Sequence, residues 1–181
     1  AVDIPVAARI CLVQALEAIG KGEAVAALGK LLSPEEDPHL ADAARRALEA
    51  NPHVSAKREL RKALKGAQGK LKVAVINSLG NRRDNLASID LMEIAEDKDP
   101  EVKLAAMNAL ALIGDVSAVS VVESALKDLQ GAHLARLEGI YLRLAETLAK
   151  AGEIKQRDHA RFSPPRPRDA RGPRPWPRRP G

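Results

Sequence analysis

Four histidines, His39, His53, His133 and His159, and one cysteine, Cys11, are the residues from which a metal site or a nucleophile would be built. Their spacing builds neither. No His or Cys stands at metal-ligand distance from another, and neither an HExxH run nor a paired-Cys motif occurs. Gly20-Lys21-Gly22 reads as an interhelical turn rather than a phosphate loop, and no Ser lies in a nucleophile-elbow context. The sequence therefore nominates no catalytic, cofactor-binding or metal-ligating residues. Cys11, between Ile10 and Leu12, excludes an intrachain disulfide and reads as a small packing residue.

The chemistry that remains is recognition by charge. Residues 57–72 hold Lys57, Arg58, Arg61, Lys62, Lys65, Lys70 and Lys72 against Glu59 alone. Residues 90–101 hold Asp90, Glu93, Glu96, Asp97, Asp99 and Glu101 against Lys98 alone. Lys57, Arg61 and Lys65 share one face of a helix at i, i+4 and i+8, opposite Leu60 and Leu64. Two readings stand side by side. One is a bipolar groove for a partner of complementary charge. The other is lateral ion pairing between neighbouring segments.

A second cluster runs from Ile76 to Asp84. Asn77 and Asn108 lie 31 residues apart, as do Asp84 and Asp115. Asn is unfavourable inside a helix and calls for a partner. One reading is a structural ladder in which Asn and Asp satisfy backbone N–H groups at successive turns. The alternative is recognition of a carboxylate or phosphate by Arg82 and Arg83, exposed at the turn.

The elements that carry these residues repeat every 31 or 32 positions. Four columns recur: Ala8, Leu40, Leu71, Val102; then Leu12, Ala44, Val75, Ala106; then Ala15, Ala47, Ser78, Ala109; then Leu16, Leu48, Leu79, Leu110. Within each repeat they fall at i, i+4, i+7 and i+8, one face of an α-helix. The third column holds only Ala or Ser, which lets helices approach closely. The fourth is always Leu and supplies the buried area.

Each such helix is followed by a turn and a shorter helix. Asp37-Pro38 and Asp99-Pro100 open first helices, with Pro at the position where its missing N–H costs nothing. Gly114 ends a helix and Asp115 caps the next. The second helices take their apolar stripes from Leu28, Leu31 and Leu32; Leu60 and Leu64; Leu91, Ile94 and Ala95; and Val119, Val122 and Leu126. Leu134–Lys150 forms a last amphipathic helix, with Leu137, Tyr141, Leu144 and Leu148 on one side. No stretch alternates with period two. Asn51-Pro52 interrupts the pattern where Ile-Gly is expected, which predicts a local change of stacking.

The segment Asp99-Pro100-Glu101-Val102-Lys103, with Ala106, Ala109-Leu110, Ile113-Gly114-Asp115 and Ala118, resembles the HEAT-repeat family. It is closest to the short form of about thirty residues seen in phycobilisome-lyase-like repeat proteins. Arg9, Ala15-Leu16 and Ile19-Gly20 match in the first repeat, and Lys72, Ser78-Leu79-Gly80 and Asp84 in the third. The resemblance implies an all-α, right-handed solenoid of stacked helix pairs with its second helices on the concave side. It implies an interaction scaffold more readily than an enzyme. A bilin-lyase-related activity finds no catalytic constellation here. A base-excising activity on DNA would need aromatics that the body lacks.

The expected organisation is an array over residues 1–156, with repeats at about 4–33, 37–66, 69–97 and 99–128 and a capping helix at 132–151. An Arg/Pro-rich tail follows at 157–181, holding eight Arg, two Asp and seven of the twelve Pro. Its net charge is +6 against +5 for the whole chain, so the body is close to neutral. Its composition suits a disordered basic arm. It is equally that of a non-native, out-of-frame stretch. Neither a signal peptide nor a membrane-spanning run is visible, and the N-terminus reads as incomplete, so no compartment follows. The sequence thus points to a non-enzymatic scaffold for a protein partner, needing no cofactor, as a monomer or as part of a larger chain. The competing class is a nucleic-acid-associated protein that uses the tail and the patch at 57–72.

Overall fold

The computed structural model describes residues 4–128 and 130–162. Among them the chain forms nine α-helices and no strand: α1 (Val6–Ile19), α2 (Gly22–Lys30), α3 (Pro38–Ala50), α4 (Val54–Gly66), α5 (Gly69–Asn81), α6 (Ser88–Ile94), α7 (Pro100–Ile113), α8 (Ala118–Asp128) and α9 (Gly131–Phe162). A short 3-10 turn, Asn85–Ala87, precedes α6. The helices stack as pairs. The odd-numbered helices form one layer in which α1, α3, α5, α7 and α9 pack each on the next. The even-numbered helices lie against this layer: α2 packs on α4, α4 on α5, α6 on α7 and α8 on α9.

Local chemistry sets the helix limits. Asp37 Oδ1 accepts from the backbone N–H groups of His39 (2.9 Å) and Leu40 (3.2 Å), with Pro38 as the first helical residue. Asp99 does the same for α7 through Glu101 N–H, at 2.9 Å. Gly114 closes α7 in the left-handed region, φ 79°, where a side chain would be strained.

The repeat columns become the core. Leu48, Leu79 and Leu110 are completely buried, as are Ala44, Val75 and Ala106 between successive first helices. In the first repeat the same columns behave differently. Ala8, Leu12 and Ala15 are exposed and Leu16 is half-buried, because among the described residues no helix packs on the outer side of α1. The small-residue column does what its size allows. A Cβ on Gly80 would fall 2.7 Å from Ala109 Cα, so α5 and α7 are nearly in backbone contact.

One expectation needs correction. The last helix does not stop at residue 151 but runs to Phe162. One Gly costs only about 1 kcal/mol relative to Ala. Residues 153–157, all of them helix-compatible, carry the helix past Gly152. The tail reading for 163–181 lies outside the described residues. Asn51, where the repeat pattern is interrupted, ties two repeats together.

Candidate functional site

The tie is made at the turns. Asn51 is buried, and its Nδ2 donates to the carbonyl oxygens of Gly20 (3.3 Å) and Lys21 (3.1 Å), while its Oδ1 accepts from His53 N–H (2.9 Å). Arg82 repeats the gesture one unit later. Its Nη1 donates to the carbonyls of Leu48 (2.9 Å), Glu49 (2.6 Å) and Asn51 (2.6 Å). These carbonyls at the C-terminal end of α3 lack intrahelical partners, and the guanidinium satisfies them. Burial holds the Arg82 pKa below its ordinary value, with Asp84 and Glu49 acting the other way. Arg82 is therefore not the exposed anion receptor that the sequence suggested. Arg83 is exposed, with φ 47°, and its carbonyl accepts from Lys57 Nζ at 3.4 Å.

Asp84 and Asp115 sit at equivalent turns. Asp84 Oδ1 accepts from Leu86 N–H (3.3 Å) and Asp115 Oδ1 from Ser117 N–H (2.9 Å). The asparagines do not join them. Asn77 lies in mid-α5, lining hollows of about 620 Å³ and 380 Å³ on its two sides. Asn108 lies in mid-α7 and accepts from Arg143 of α9. Their helical positions hold them a full turn or more from any helix end, so the Asn half of the expected ladder does not form.

Another inter-repeat link carries no motif in the sequence. Arg45 donates to Ser78 Oγ (2.8 Å), which donates to Glu49 Oε2 (2.6 Å), while Asn81 Nδ2 donates to Glu49 Oε1 (2.8 Å). The one signal was Ser78, the polar member of an otherwise Ala column.

The charged runs start on α4 and α6, reach into the first turns of α5 and α7, and divide between both readings. Arg61 pairs with the buried Asp84 of the next repeat, and Lys72 with Asp97 at 2.7 Å within its own repeat, so both cations are taken up by ion pairs inside the array. The bond from Lys72 is the main reason the Asp97 carboxyl is held below its ordinary value. Arg58, Lys62 and Lys65 are exposed, with Arg58 (3.5 Å) and Lys62 (2.8 Å) resting beside Glu59 of the same helix. With Arg61, Leu86 and Asp90 they line a depression of about 330 Å³ between α4 and the start of α6. A second, of about 260 Å³, shares Lys65 and Asp90 and adds Glu93 and Lys72. The two make one groove, cationic at the Arg58 end and acidic at the Glu93 end. Its opening follows from α6, only seven residues long beside the thirteen of α4. Leu86 at its edge is 75 % exposed, with Ile89 close by in sequence and nearly as open.

Among the described residues no cluster of three or more His, Cys, Asp or Glu stands ready for a metal ion. No helix there is long and apolar enough to cross a membrane.

The stacked pairs define a helical-repeat protein. The family model for HEAT repeats matches residues 57–136, from α4 into α9, and this span carries HEAT repeats. No curated protein matches the chain.

Proposed function

We propose that the chain is a non-enzymatic protein-interaction scaffold whose binding surface is the groove between α4 and α6. The observation that carries this reading is the set of exposed cations, Arg58, Lys62 and Lys65, facing Asp90 and Glu93 across an open groove edged by Leu86. Charge of both signs in one groove orients a partner as well as attracting it. Lys57 and Arg83 extend the cationic end; Arg61 and Arg82 support it from within. HEAT repeats generally serve as such scaffolds, and the 31-residue period supports the finer reading of a short, phycobilisome-lyase-like form.

Affinity capture with immobilised protein tests the proposal. Partners held by wild type are expected to be lost from Arg58→Glu/Lys65→Glu and from Asp90→Lys/Glu93→Lys. They should survive Arg46→Glu on the opposite layer. Retention by both groove variants would overturn the assignment. A phosphate backbone is the second reading, carried by the same exposed cations. It predicts binding to DNA that falls steeply with salt and disappears only with the basic substitutions.

A further inference from the structure

Three helices each place a locally unfavourable residue around one hollow. The hollow, of about 380 Å³, lies between α5, α7 and α9. Asn77 lines it from mid-α5 and Asn108 from mid-α7, positions where Asn weakens a helix. Gly139 lines it from within α9, where Gly weakens a helix more. Packing requires neither Gly139 nor Asn77. A Cβ on Gly139 would meet nothing within 4 Å. Asn81 reaches Glu49 and Asn108 accepts from Arg143, whereas Asn77 has no hydrogen-bond partner among the described residues. Residues that break local rules with no packing reason, converging on one cavity, mark a functional site.

We propose that this hollow receives the C-terminal residue of a partner polypeptide, an aliphatic residue bearing its free carboxylate. No carboxylate lines the hollow, and hydrogen-bond donors stand along it. Arg143 Nη1 donates to Asn108 Oδ1, which holds the guanidinium over the hollow and leaves the Asn108 Nδ2 group to donate elsewhere. A guanidinium beside amide donors matches the two oxygens of a carboxylate. Arg136 lines the hollow as well, seven residues earlier on the same face of α9, but Glu101 already answers its charge. The anion therefore belongs at Arg143. Asn77 decides between a simple acid and a peptide. Its amide both donates and accepts. A simple carboxylate offers nothing to its Oδ1, whereas the N–H that precedes a C-terminal carboxylate does. Val73, Leu104 and Ile140 supply an apolar floor for an aliphatic side chain. The volume sits near the lower end of the roughly 300–1,000 Å³ of ligand pockets, enough for one terminal residue and not for a longer segment. The missing side chain at Gly139 keeps that space open. This site is distinct from the α4–α6 groove and does not rest on the reading of that groove.

Titration of the full chain with an acetylated tripeptide ending in leucine, followed by calorimetry, tests the site. The free-acid peptide is expected to bind. Its C-terminal amide should bind about tenfold more weakly or worse. Isocaproate, which has the carboxylate and the aliphatic chain but no peptide N–H, should also bind more weakly than the peptide. Arg143→Met and Asn77→Leu should each lose about tenfold or more in affinity. Gly139→Leu separates binding from folding. It should raise the melting temperature, because Leu suits a helix better than Gly, and yet abolish binding by filling the hollow. Arg58→Glu/Lys65→Glu should bind the peptide as wild type does. Absence of binding at about 10 mM peptide, or equal binding of the acid and amide forms, would overturn the proposal. So would wild-type affinity in Arg143→Met or in Gly139→Leu. Isocaproate binding as tightly as the peptide would show a site for small acids and overturn the peptide assignment. Loss of binding in Arg58→Glu/Lys65→Glu would overturn the location, because it would place the peptide in the α4–α6 groove.

Discussion

Gly80 shows how far a single residue departs from its intrinsic preference. In an exposed helix interior, Gly→Ala stabilises by about 1 kcal/mol. Here the added methyl would meet the Cα and Cβ of Ala109 at 2.7 and 2.9 Å, atoms that cannot move without their helix. Overpacking of this kind costs about 1–3 kcal/mol, so the sign reverses. Gly80→Ala is expected to lower the melting temperature; an increase would mean that α5 and α7 have room between them. Arg82 teaches a related point. The sequence presents it as one of two adjacent arginines at a turn, and nothing local separates them. Only the 31-residue offset from Asn51 marks it as a side chain that reaches back to the preceding turn.

At the scale of elements, the ion pairs that fasten helices to the turns beside them are sensitive to acid. Asp97 is held below its ordinary pKa chiefly by the Lys72 bond, and Glu36 chiefly by Arg9. A carboxyl whose pKa is lowered by folding contributes stability above its unfolded value and loses it as pH falls through the folded one. The contribution is therefore whole at neutral pH and fades below about pH 4. The urea midpoint of wild type should fall more between pH 7 and pH 3 than that of Lys72→Met, which lacks the Asp97 link. Parallel falls would show that the pair adds nothing. The helices themselves were legible, because capping by Asp37 and Asp99 and the Leu columns are local or periodic signals. The groove was half legible. Two opposite charge runs could be seen, but which cations pair sideways depends on reach across helices. Arg61 meets Asp84 whereas Arg58 and Lys65 do not, and no sequence spacing encodes that difference. The exposure of Leu86 follows from the brevity of α6, which the sequence reading did not resolve.

At the scale of the whole molecule, stability in a stacked array is a sum of repeat and neighbour terms. Leu79 is fully buried between the repeats on either side, whereas Leu16 is half-buried at an open end. Leu79→Ala is expected to cost about 2–5 kcal/mol, and Leu16→Ala distinctly less. Hydrogen exchange should show protection lost first over residues 70–95 and only later over 4–20. Equal destabilisation with uniform loss would indicate one undivided core in place of an array.

The stitches made by Asn51 and Arg82 run in one direction. Asn51 reaches carbonyls 30 and 31 residues before it, and the Arg82 contact with Asn51 also spans 31. Donors therefore leave the ribosome after their acceptors. At about 5–20 residues per second, the finished end of α3 waits about 2–6 s in water for Arg82 to emerge. Each repeat is thus completed by its successor, and a nascent chain halted between Asn51 and Arg82 holds a second repeat that is folded but not yet fastened.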